Sequence, residues 1–175
     1  MWQHLPRESI GIFPDPRDGF MILHVAVDFK ALLRLGRDYG WKRPEGCPRC
    51  HRGLWGHGWV TIYLEGVAGW VWIRRFRCPG CGTVFRLRPL GHWPRFFYGI
   101  ETIRSALEHR LRSGRWPPGV CRQVGGHWLR ALVRQVRARL GLGTSSFPGG
   151  YEGLIGQGWV PVTRSIGGVR LPQVC

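Results

Sequence analysis

The chain has 175 residues, 43% of them hydrophobic, with 26 Lys+Arg against 10 Asp+Glu and a formal net charge of +16. That length accommodates one or two small domains. No run approaches the ~18 consecutive apolar residues of a membrane span, and the lack of any Asn excludes N-glycosylation and adenine readout by that side chain.

Residues 1–19 hold Pro6, Gly11, Pro14 and Pro16 with mixed charges and no periodicity, and read as a loose arm. Phe20–Val27 is an apolar run fit for a buried strand. Asp28 can cap a helix over Phe29–Leu35 with Phe29, Leu32, Leu33 and Leu35 on or near one face, and Gly36 can end it. His24 lies within the strand and reads as a core histidine. This βα unit should pack on the cysteine-bearing segment after it, because a short metal-stapled sheet is otherwise poor in core.

That segment opens with Cys47-Pro48-Arg49-Cys50, continues for 27 residues and closes with Cys78-Pro79-Gly80-Cys81. Two Cys-x-x-Cys pairs at such a separation are the ligand pattern of a four-cysteine zinc site. Between them Trp59–Leu64 and Val67–Phe76 are strand-like and meet around Glu65-Gly66, and Thr83–Leu87 offers a last strand. The layout is that of a zinc ribbon with Cys47, Cys50, Cys78 and Cys81 as ligands and zinc as cofactor. An iron–thiolate centre uses similar spacing, though usually on an acidic domain, and disulfides are the other alternative. The opening Met1-Trp2-Gln3-His4 carries no apolar signal segment, which favours a reducing, cytoplasmic setting. His51 and His57 flank the first pair, but four cysteines already complete a site. Cys121 reads as a small apolar residue.

Alternation along Trp70–Arg77 places Trp70, Trp72, Arg74 and Phe76 on one face and Val71, Ile73, Arg75 and Arg77 on the other. Arg86 and Arg88 lie on the next strand. Beyond a break at Pro89–Pro94, Gly99–Arg112 is helical, with Ile100, Ile103, Ala106, Leu107 and Leu111 at helical spacing. Gly114–Gly119 is a turn, and Val120–Val124 makes a short helix before Gly125-Gly126. His127–Leu140 is the cleanest helix: Leu129, Leu132, Val133, Val136 and Leu140 form its stripe, with Arg130, Arg134 and Arg137 opposite. This order is that of a helix-turn-helix, against a plain helical bundle. Gly141–Cys175 reads as a mobile or extended Gly/Pro-rich tail. The expected fold class is therefore α+β, with an arm (1–19), a βα unit and zinc ribbon (20–98), a helix-turn-helix-like segment (99–140) and a tail (141–175).

Charge is concentrated in the middle of the chain. Residues 47–98 carry 8 basic and 1 acidic residue and residues 99–140 carry 9 and 2, whereas each flank has a net charge of only +1. Of the 26 bases, 24 are Arg, the side chain whose planar fork matches phosphate and guanine edges. A polyanion is the expected partner. Arg74, Arg75, Arg77, Arg86 and Arg88 are assigned to phosphates, and Arg130, Arg134 and Arg137 to a DNA groove. No catalytic residues are expected. Past the second Cys pair only Glu101, Glu108 and Glu152 are acidic, too few for two-metal nuclease chemistry. His109 and His127 suit solvent-facing or phosphate-contacting roles.

The knuckles, together with Ile22-Leu23-His24-Val25, Leu54-Trp55-Gly56-His57-Gly58 and Arg75-Phe76-Arg77-Cys78-Pro79-Gly80-Cys81-Gly82-Thr83-Val84-Phe85, resemble an uncharacterised bacterial family. Its members join an N-terminal zinc ribbon, similar to those heading insertion-sequence transposases, to a transposase-type helix-turn-helix. The resemblance covers about Phe20–Leu140 and implies double-stranded DNA binding linked to mobile elements, with a separate transposase or other protein subunit as a further partner. It departs from the pattern at Gly125-Gly126, and no catalytic transposase domain comes after the helices. No membrane or small-molecule partner is expected. The alternative is a structural subunit whose ribbon binds protein or RNA in a larger assembly. A third reading, an electron-transfer module, goes with iron in place of zinc.

Overall fold

A computed structural model of the chain describes residues 11–14, 20–141 and 147–164. The fold is mixed α+β and divides into two compact units, the first ending at Phe97 and the second beginning at Tyr98.

The first unit is built on one five-stranded sheet. Its strands are β1 (Gly11–Pro14), β2 (Phe20–Val25), β3 (Trp55–Ile62), β4 (Val71–Arg77) and β5 (Val84–Pro89), in the spatial order β1-β2-β5-β4-β3. The hairpin β3–β4 and the pair β4–β5 are antiparallel, as expected of strands joined by short turns. β2 lies parallel to β5, with Leu23 opposite Leu87 and His24 opposite Arg88. β1 adds antiparallel to β2, so the arm contributes a strand where a loose segment was expected. The rest of that arm lies outside the described residues.

Helix α1 (Phe29–Leu35) comes after β2 and is capped as anticipated, the Asp28 carboxylate accepting the Ala31 N–H at 3.0 Å. Only Leu32 is buried; Leu33 and Leu35 are exposed, so the apolar face is narrower than the sequence implied. The helix ends at Gly36 (φ 55°) and passes into a 3₁₀ turn whose Arg37 guanidinium stacks 3.8 Å from the Trp72 ring. That stack covers part of the half-buried Trp72 ring. Leu23, Leu32, Leu54, Leu64, Ile73, Phe76, Phe85 and Leu87 form the core, and Cys47 and Cys78 belong to the same cluster. His24 is buried beside Arg88, as expected of a core histidine. Burial first, and then the charge of Arg88, hold its imidazole neutral by lowering its pKa to about 3.

The second unit consists of α2 (Ile100–Ser113), α3 (Arg122–Arg139) and α4 (Phe147–Gly156). Gly114, left-handed at φ 72°, closes α2 by donating to the Arg110 carbonyl. The expected break at Gly125-Gly126 does not occur, and α3 runs unbroken through both glycines. A Cβ at Gly125 would lie 2.6 Å from the Trp116 ring, so the turn's indole packs on bare helix backbone there. At Gly126 the space is taken by the Arg130 guanidinium, 3.3 Å from where a Cβ would sit. Each glycine costs about 1 kcal/mol of helix propensity relative to Ala, offset by the packing it admits.

The buried stripe of α3 is Gly125, Trp128, Ala131, Leu132 and Gln135, rotated from the expected one; Val133 is exposed. Leu111 of α2 is likewise exposed. Cys121 is exposed at the start of α3 instead of buried. The region after 141 is no extended tail in its described part, because α4 buries Tyr151 and Leu154, and Val160 and Val162 join them in the core. Arg104 of α2 binds Glu108 at 3.2 Å and Glu152 at 3.0 Å, using two of this unit's acids as structural partners.

Candidate metal centre and basic surfaces

Two loops present the four cysteines, and they share one hydrogen-bond frame. In the first, the Cys47 N–H donates to the Arg52 carbonyl at 2.8 Å and the His51 N–H to the Cys47 carbonyl at 2.7 Å. In the second, the Cys78 N–H donates to the Thr83 carbonyl at 2.9 Å and the Gly82 N–H to the Cys78 carbonyl at 3.0 Å. Each loop turns through a left-handed residue just after its second cysteine, His51 at φ 57° and Gly82 at φ 70°. The backbone N–H groups two and three residues on face the first sulfur of each loop, at Cys47 and at Cys78. That arrangement stabilises thiolate.

The four Sγ atoms all lie within 4.8 Å of one another, with Cys47 to Cys81 at 3.5 Å and Cys50 to Cys78 at 3.3 Å. Sulfurs about 2.3 Å from a tetrahedral ion sit about 3.8 Å apart, so this cluster could hold one metal ion. All four cysteines are free thiols, which sets the disulfide alternative aside. Neither His51 nor His57 belongs to the cluster.

The two loops differ in their electrostatics. Burial pushes the Cys47 thiol up to about 11. Cys81 is brought down to about 6, chiefly by its hydrogen bond with the Thr83 hydroxyl at 3.2 Å and then by the Thr83 N–H. The Arg49 guanidinium, from the first loop, donates to the same hydroxyl at 3.2 Å. Arg49 and Thr83 thus tie the loops together behind the sulfurs, as second-layer groups commonly do around metal ligands. Sequence reasoning missed both; a Thr two residues after the last cysteine was the available signal. Gly80 gives the loops room to approach, because a Cβ there would meet the Arg52 side chain at 2.6 Å.

The sheet arginines do not form one set. Arg74 lies on the Trp72 face, its guanidinium 4.7 Å from the Trp59 ring and 5.9 Å from Phe76. Arg75, Arg77, Arg86 and Arg88 alternate onto the other face, where Arg75 and Arg86 are direct cross-strand partners. Arg86 also stacks 4.4 Å from Phe20. Arg88 is only 8% exposed, donates to the Phe96 carbonyl and has its pKa lowered to about 10 by burial. It is thus a packing residue, and the surface role expected of it is not available in this fold. Arg77 is open to solvent and Arg75 and Arg86 half so.

On α3, Arg130, Arg134 and Arg137 are all exposed. Arg134 donates to the Arg164 carbonyl at 3.2 Å, a partner the sequence did not indicate. Among the described residues no helix is long and apolar enough to cross a membrane. Comparison with protein-family models, with curated proteins and with solved structures found no match.

Proposed function

We propose that the chain is a zinc-dependent DNA-binding protein. Zinc is the metal this site suits best: four thiolates around one point are a closed structural set for that ion. Zinc would staple the loops at the sheet's end and so hold the arginine-bearing strands in register. The observation that carries the DNA reading is the surplus of arginine at the surface, with exposed Arg77 and half-exposed Arg75 and Arg86 on one sheet face and exposed Arg130, Arg134 and Arg137 on α3. Solvated surfaces ordinarily mix signs; here Glu108 and Glu152 are both engaged by Arg104. We assign this protein a binding role and no catalysis of its own. Its link to mobile elements rests on the ribbon motifs alone.

Salt-dependent binding to duplex DNA, single strands and RNA, preceded by metal analysis, tests the proposal. Zinc at one per chain and a steep fall in duplex affinity with salt are expected. Duplex binding absent at low salt would sink the DNA reading.

A second reading has its own observation. Trp55, Tyr63 and Trp70 are 68%, 62% and 55% exposed around the β3–β4 hairpin, whose β3 is an edge strand of the sheet among the described residues. Large exposed aromatics favour a protein or RNA partner in an assembly. Loss of that partner, and not of duplex binding, on Trp55→Ala would identify it.

A further inference from the structure

On α3, two arginines from distant parts of the chain converge on one imidazole. The Arg130 Nη2 lies 3.0 Å from His127 Nδ1, and the Arg164 Nη2 lies 3.2 Å from the same atom and 3.4 Å from Nε2. Arginine has donors only, so the Arg130 fork is directed at Nδ1, while the Arg164 Nη2, within reach of both ring nitrogens, lies over the imidazole face. Arg134 closes the group by donating to the backbone carbonyl of Arg164.

This convergence is held in place from below. Gln135, fully buried on the core side of α3, donates to the Thr163 carbonyl and hydroxyl, each at 3.0 Å. The Thr163 hydroxyl donates in turn to the Val160 carbonyl at 3.2 Å. Val160 and Val162 are buried, so the segment delivering Arg164 is anchored through Thr163 and the residues before it. Gly126, where a side chain would crowd the Arg130 guanidinium, leaves that group room beside His127. Two guanidinium groups therefore meet at one imidazole on an exposed surface, with Arg134 bonded to the Arg164 backbone nearby, and within the described residues no carboxylate is among their partners.

We propose that Arg130, Arg164 and His127, with Arg134 beside them, form a binding site for a tetrahedral phosphate oxyanion. Two guanidinium forks and an imidazole offer several convergent N–H donors, the complement of phosphate oxygens. A bound oxyanion would relieve the repulsion between the cations and replace the weak guanidinium–imidazole contacts with charge-assisted ones. On this assignment Arg130 and Arg134 grip a phosphate, whereas sequence reasoning gave them to a DNA groove. The assignment rests on the DNA reading only for the source of the oxyanion, a nucleic-acid backbone or a free phosphate ester.

The test monitors the His127 ring by NMR in the full chain, ¹⁵N-labelled at histidine, with His127→Gln to assign the signal. Inorganic phosphate is titrated at constant ionic strength, with chloride as the control. A saturable shift is expected with phosphate alone, weakened about ten-fold in Arg164→Gln, largely restored in Arg164→Lys, and unchanged in Arg112→Gln, an exposed arginine of α2 outside the site. Arg164 is exposed, and the helical circular dichroism should be unaltered. No saturable shift, an equal shift with chloride, or an undiminished shift in Arg164→Gln overturns the site. A duplex oligonucleotide that displaces phosphate from His127 identifies the backbone as the source. Phosphate binding without any duplex binding upholds the site, assigns it to small phosphate esters and sinks the DNA reading. Duplex binding while His127 answers to neither ligand overturns the site and leaves the DNA reading standing.

Discussion

The two cysteine loops make the same turn with different residues at its tightest point. Gly82 adopts the left-handed conformation without a Cβ penalty, whereas His51 adopts it against one. The second loop also has its exposed sulfur, Cys81, tuned toward thiolate by Thr83, while Cys47 of the first is buried and resists ionisation. Both loops share one backbone frame and bury their first cysteine, Cys47 or Cys78, in the core. What the second loop adds is an unstrained glycine at the turn and the Thr83 hydroxyl beside its outer sulfur.

The largest effect should come from removing what the loops share. Stripping the metal, or making Cys47→Ser or Cys78→Ser, should abolish cooperative unfolding of the first unit. Structural zinc supplies roughly 10–16 kcal/mol of apparent binding energy, more than so small a core replaces. Metal analysis with chelator-dependent thermal melts checks this. Iron in place of zinc, or a melt indifferent to chelator, would overturn the zinc assignment.

Next in size is the turn itself. Gly82→Val forces a β-branched residue to φ 70° and should cost at least about 1–2 kcal/mol, read as a lower melting temperature. Gly82→His, which copies the first loop, should cost less than Val. Equal losses would mean that the two turns are not equivalent.

Thr83→Val removes the hydroxyl shared by Cys81 and Arg49, and should weaken metal binding about 10–100-fold in chelator competition. The pH dependence has a definite sign. The folded Cys81 pKa of about 6 lies below its ordinary value of 9.0. Cys81 is therefore a thiolate ready for metal down to about pH 6, and below that protons compete with the metal for its sulfur. Thr83→Val should raise that limit, seen as release of the metal at a higher pH than in the parent chain.

The smallest effect should be at His51. His51→Gly relieves about 1–2 kcal/mol of left-handed strain and costs about 0.5–1 kcal/mol in unfolded-chain entropy, for a net gain of about 0.75 kcal/mol. A clear loss of stability would show that the His51 side chain holds the first loop together.

Much of the first unit was legible because its signals are local. Cysteine spacing marked the loops, and alternation marked β4 and β5 to within a few residues. Partners were not legible, because a run such as Phe20–Val25 announces a strand and not its neighbour. β1 was hidden by prolines in a four-residue strand that only pairing with β2 makes visible. In the second unit the glycines misled. Gly125-Gly126 signals a helix end in isolation, and only the Trp116 ring and the Arg130 side chain explain its place inside α3. The buried stripe turns toward Trp128, which packs on Tyr98, and Gln135, which binds Thr163. Gly and Pro likewise concealed α4, whose stability comes from burial of Tyr151 and Leu154 and not from propensity.

The parallel pairing of β2 with β5 sets a clock for biosynthesis. Phe20 pairs with Val84, so the first of the two strands must wait for the second to be made. At the roughly 5–20 residues per second of a translating ribosome, that interval is about 3–13 s. During it the run Phe20–Val25, apolar apart from His24, has only the four-residue β1 to pair with and its other edge stays open, while the β3–β4 hairpin can close within microseconds of its synthesis. The sheet is closed last at its centre, where β5 enters between β2 and β4, and the open edges of those two strands are most prone to self-association just before β5 is made.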